Sequence, residues 1–147
     1  MEKLYRVLKF IFWVVFVVIY PMLISIYVTL PLFVGFAGLI LVLGIEKEKY
    51  WHVFFAFLYM LNLEINLSLP IFLMPISALI FYNFVKDKLA FLKLCPVCVS
   101  IVSVILIDFI YFFLLASFDF LLHQSSVHYD SLLLFSLIYD IIAAAVI

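Results

Sequence analysis

The eight basic residues of this 147-residue chain fall in three places. They are Lys3, Arg6 and Lys9, then Lys47 and Lys49, then Lys86, Lys88 and Lys93. Two apolar stretches of 36 residues, Phe10 to Ile45 and Tyr50 to Val85, separate them. Lys and Arg collect in cytoplasmic loops, so three clusters on one side require an even number of crossings between them. One straight helix of 36 residues would be about 54 Å long, against a hydrocarbon core of about 30 Å. Each stretch therefore reads as two short helices and a turn. Polar residues and proline place the turns at Ser25 to Pro31 and at Asn62 to Pro70, the latter holding Glu64, Asn66 and Ser68.

After Lys93 an apolar run continues to about Leu122. The segment His123 to Asp130, without Lys or Arg, reads as external. The expected helices are 10–27, 31–45, 50–64, 70–85, 95–121 and 131–147, with both termini cytoplasmic. The alternative is four helices, the first two pairs being bent or re-entrant hairpins. The basic start resembles a signal peptide, but no small-residue cleavage pattern follows, and it reads as a retained first helix. The expectation is one integral membrane domain over 1–147: an all-α, polytopic helical bundle. Composition agrees, at 71% hydrophobic residues against about 45–50% for soluble domains. A net charge of −1 gives no reason to expect nucleic acid. The equal lengths of the two stretches read as coincidence, with no internal repeat, and the scarcity of glycine (three residues) as a compositional bias.

Ionisable groups inside apolar helices are costly and mark functional or architectural positions. Asp108 falls mid-way along the fifth helix, with Asp119 eleven residues on and Tyr111, Phe112 and Leu115 near the same face. Ser136, Asp140 and Ala144 recur at i, i+4 and i+8 on the sixth, beside Tyr139, a stripe suited to close helix contact. One reading makes Asp108, Asp140, Tyr139, Ser136 and Glu64 a proton or ligand site. The other makes them hydrogen-bonding groups that set helix register, with Glu64 a solvated turn residue. His52 reads as interfacial. His123 and His128 are too few for a metal site, and no cofactor is expected. Trp13 and Trp51 read as interfacial anchors.

Cys95-Pro96-Val97-Cys98 is the one reactive motif, because a C-x-x-C pair lowers a thiol pKa and exchanges disulfides. It resembles the motif of membrane thiol oxidoreductases related to vitamin K epoxide reductase or DsbB. Those carry a second Cys pair and act on the oxidising side, whereas here the lysines place Cys95 on the cytoplasmic side. The other reading has Pro96 opening the fifth helix and both Cys as small apolar residues.

The order of elements resembles the rod shape-determining MreD family, whose third segment ends in Gly-Phe-x-x-Gly-Leu-Leu-x-Asp-Leu. This chain has Ala56-Phe57-Leu58-Tyr59-Met60-Leu61-Asn62-Leu63-Glu64-Ile65. Ala56 and Met60 stand in place of the glycines, and Glu64 in place of the aspartate. Ser77 to Tyr82, Leu106 to Ile110 around Asp108, and Leu137 to Ile142 around Asp140 also look similar. The resemblance implies a fold like that of the membrane substrate-binding subunits of energy-coupling-factor transporters. It also implies a non-enzymatic scaffold of cell elongation and peptidoglycan synthesis in the bacterial inner membrane that binds MreC and other elongation proteins. The alternatives are a vitamin-binding transporter subunit, with a pocket lined from Asn62–Pro70 and His123–Asp130, and a thiol oxidoreductase using Cys95 and Cys98.

Overall fold

A computed structural model describes the chain except residues 28, 29, 69, 86, 89–94, 123–129 and 147, and gives no side-chain surroundings for 130–133. His123, His128, Lys86 and Lys93 lie outside the described residues. The described residues form six helices and no strand: α1 (Glu2–Ile26), α2 (Val34–Glu46), α3 (Tyr50–Asn66), α4 (Leu73–Ile80, continued by a π-helical turn, Phe81–Val85), α5 (Pro96–Leu122) and α6 (Asp130–Val146). The expected six helices are present, not four. The largest difference is at α1, which begins eight residues early and carries Lys3, Arg6 and Lys9 on its first turns. Asn62, Glu64 and Asn66 belong to α3, not to a turn. Two helices, α1 and α5, are long and apolar enough to cross a membrane.

The shortest of the apolar helices along the first hairpin is the centre of the bundle. α2 has 13 residues, and eight of them are buried. It packs on α3, α5, α4 and α6, which is why it is apolar all round rather than on one stripe. All three glycines of the chain lie on it. A Cβ on Gly35 would stand 2.8 Å from Val104 Cγ1, one on Gly38 2.7 Å from Ile107 Cγ2, and one on Gly44 2.8 Å from Val53 Cγ2. Close approach of α3 and α5 to α2 therefore needs glycine at these points.

The absence of an internal repeat is also corrected. α1–α2 and α3–α4 are equivalent hairpins 39 positions apart: Phe16, Tyr20, Pro31, Phe33, Lys47 and Lys49 recur as Phe55, Tyr59, Pro70, Phe72, Lys86 and Lys88. Phe33 and Phe72 each precede the second helix of their hairpin, and both are left-handed, at φ 53° and 71°. A left-handed non-glycine residue costs about 1–2 kcal/mol, so its presence at equivalent places marks a shared turn. The first helices of the hairpins run side by side in one direction. Phe10 packs on Trp51 and Phe55, and Phe16 and Tyr20 pack on Tyr59, with ring centroids 4.8–6.3 Å apart along this row.

Pro21 lies inside α1. Lacking an N–H, it leaves the carbonyl four residues back without a helical donor. Asn62 of α3 supplies one: its amide donates to Val17 O at 3.0 Å and to Val18 O at 3.1 Å. Asn66 in turn donates to Asn62 Oδ1 at 2.7 Å.

Candidate functional site

Helices begin with N–H groups that have no partner in their own helix. Neither α2 nor α4 has a side-chain cap of its own, since a phenylalanine occupies the capping position. Both borrow a carboxylate. At α2 the donor is the Gly35 amide, 3.1 Å from Asp140 Oδ2 of α6. At α4 the Phe72 and Met74 amides donate to the two oxygens of Glu64, at 2.8 and 2.6 Å. A carboxylate at a helix N-terminus is favoured by both the free amides and the helix dipole.

Asp108 of α5 and Ser136 and Asp140 of α6 meet around Gly35. Ser136 Oγ donates to Asp140 Oδ2 at 3.4 Å. Asp108 faces the same place: a Cβ on Gly35 would lie 2.8 Å from Asp108 Oδ2. Gly35 is the residue that lets two carboxyls approach one helix start. Asp108, Ser136, Asp140 and Ala144 are all buried. Among the described residues, Asp108 Oδ2, Asp140 Oδ1 and Tyr111 Oη are buried without a hydrogen-bond partner. The Gly35 amide is already taken by Asp140, so the groups left open here are two carboxyl oxygens and a phenol. Among the described residues no three His, Cys, Asp or Glu side chains come together as a metal site.

Two expectations need correction. Tyr139 is not part of the cluster: it is 43% exposed, because neighbours in a helix point about 100° apart and Asp140 takes the inward direction. Glu64 is not a solvated turn residue but fully buried, at a separate helix start. Cys95 and Cys98 are joined as a disulfide at the beginning of α5, where the Cys98 amide donates to Cys95 Sγ at 3.3 Å. Cys98 is exposed.

A second feature was not anticipated. A groove of about 700 Å³ runs between α1, α2 and α3, with Ala143 of α6 on its wall. Arg6, Lys9 and His52 stand at one end. Trp13, Phe16, Phe36, Trp51, Phe55 and Tyr59 line the rest. Its sequence signal was the stripe Trp51, Phe55, Tyr59 at i, i+4 and i+8, echoed by Phe12, Phe16, Tyr20. Comparison with protein families, with characterised proteins and with solved structures finds no match to this chain.

Proposed function

We propose that this chain is a multi-pass bacterial inner-membrane protein, with both termini cytoplasmic, that acts as a non-enzymatic scaffold of the cell-elongation machinery and binds MreC, as its resemblance to the MreD family implies. One observation carries the non-catalytic reading: the buried carboxylates of Asp140 and Glu64 are directed at backbone amides that start α2 and α4. Two of the interior carboxylates, Asp140 and Glu64, are thereby committed to holding helix starts in place. What remains for a partner is the outer surface. On α1 only Val17, Pro21 and Ile24 are buried, and the exposed Val14, Val15, Val18, Ile19 and Met22 offer apolar surface to a neighbouring helix. Association in lipid rests on such packing and a few interhelical hydrogen bonds.

Depletion of the protein from its native rod-shaped or helical cell tests the reading. Rounded cells, with MreC recovered on purification from native membranes, are the expected result. Unchanged shape with lost disulfide formation would favour the second reading, a thiol oxidoreductase, for which the exposed Cys95–Cys98 disulfide speaks. Unchanged shape with lost vitamin uptake would favour a transporter subunit.

A further inference from the structure

The groove between α1 and α3 is polar at one end only. Arg6 and Lys9 project from the first turns of α1, and His52 from the first turn of α3. None of the described lining side chains is acidic. Beyond this mouth the walls are aromatic and aliphatic. The hydroxyl of Tyr59, at the deep end, is already taken by Leu32 O at 2.8 Å, so the deep end offers nothing to a polar ligand. Depth supports the same conclusion. From Arg6 to Val17 α1 rises about 17 Å, close to half of a hydrocarbon core of about 30 Å. The groove thus has the length of one membrane leaflet, with its cations where a headgroup would lie. Its volume of about 700 Å³ lies within the range of small-molecule sites, and it is open along one side, as a lipid entering from the bilayer requires.

We propose that this groove is a binding site for a membrane lipid with an anionic phosphate headgroup, which sits on Arg6 and Lys9 while an acyl chain lies between the aromatic rows of α1 and α3. This rests on the reading of the chain as membrane-embedded, but not on its role as a scaffold. Cations at the mouth select the headgroup by charge, and Trp13, Phe16, Trp51 and Phe55 hold the chain by apolar contact. The free lipid of the bilayer is the occupant, because the groove's depth matches a leaflet and its walls are apolar over that depth.

The two tryptophans of the chain, Trp13 and Trp51, both line the groove, so bromine on a lipid chain reports occupancy by quenching their fluorescence. The protein is reconstituted in phosphatidylcholine vesicles containing either chain-brominated phosphatidylglycerol or chain-brominated phosphatidylcholine at equal mole fraction. Phosphatidylglycerol is expected to quench at lower mole fraction, saturably, and to be displaced by its unbrominated form. Removal of the two cations in Arg6→Gln/Lys9→Gln should weaken the preference by about fivefold for each charge removed. Ala143→Phe fills the groove and keeps the cations; it should abolish saturable quenching. Ile40→Phe, at a partly exposed position on the same wall, serves where Ala143→Phe does not fold. Equal quenching by both lipids overturns the proposal and leaves the membrane reading intact. A preference that survives groove filling also overturns it, since the lipid is then held at the outer boundary. No quenching by either lipid overturns both.

Discussion

Asn62 of α3 donates to the carbonyl of Val17 in α1, the acceptor left open by the missing N–H of Pro21. The two helices are coupled by a defect in one and an amide in the other. Asn62→Leu should then destabilise the protein by about 1–2 kcal/mol, since it leaves a half-buried carbonyl without a donor. In a Pro21→Leu background residue 21 supplies the helical N–H itself, and the same Asn62→Leu change should cost much less. Melting the four proteins in one detergent gives the coupling energy. Equal costs in the two backgrounds would mean that Asn62 acts by some other contact.

Asp140 is the cap of α2, so its replacement should rank by hydrogen-bonding capacity. Asp140→Asn keeps an acceptor for the Gly35 amide and should be close to wild type in detergent melting. Asp140→Leu leaves that amide buried without a partner and should cost about 1–3 kcal/mol. Equal melting of the two variants would remove the capping role.

Glu64 serves the other hairpin, and its effect should be local. With Glu64→Leu, the Phe72 and Met74 amides lose their acceptor, and hydrogen exchange should quicken at the start of α4 while α2 keeps its protection. Glu64→Gln should retain most of the protection. Exchange that rises equally in both helices would show that the two helix starts are not independently held.

Gly38 faces Ile107 with no room for a methyl group. Gly38→Ala should cost about 1–3 kcal/mol, the range for an overpacked contact. Ile107→Ala opens the space on the α5 side, so the double variant should be more stable than the sum of the two single changes. Strict additivity in thermal unfolding would place the strain elsewhere.

The topology has a direct chemical test. In spheroplasts treated with a permeant reductant, which opens the Cys95–Cys98 disulfide, a membrane-impermeant maleimide should leave both thiols unlabelled. Permeabilised spheroplasts should label strongly. Strong labelling of intact spheroplasts would put the start of α5 on the outer side and favour thiol exchange with the oxidising compartment.

Much of this fold was legible because charge marks helix ends in an apolar chain. Three basic clusters and three polar segments, the last being His123 to Asp130, suffice for six helices, and period-four spacing brings Ser136, Asp140 and Ala144 to one face. What escaped was of a different kind. Asp140 caps a helix whose first residues lie 105 positions earlier, and no local pattern announces a borrowed cap. Pro21 falls inside the expected helix 10–27, but nothing local points to Asn62 as the donor for the carbonyl it leaves open. The 39-residue repeat is masked because Leu, Ile, Val and Met interchange freely on apolar surfaces, which leaves mainly the Tyr, Pro, Phe and Lys positions to carry the likeness. Tyr139 was misplaced because adjacency to Asp140 in sequence was taken for adjacency in space.

The two equivalent hairpins differ in when their second helices can be completed. Glu64 is already made when Phe72 and Met74 emerge during synthesis, so α4 is closed by a residue of its own hairpin. α2 must wait for α6, since the carboxylate that accepts from Gly35 belongs to Asp140. The duplicated halves are therefore not interchangeable in time: the second can mature as it is made, whereas the first keeps an open helix start until the rest of the bundle has been threaded past it.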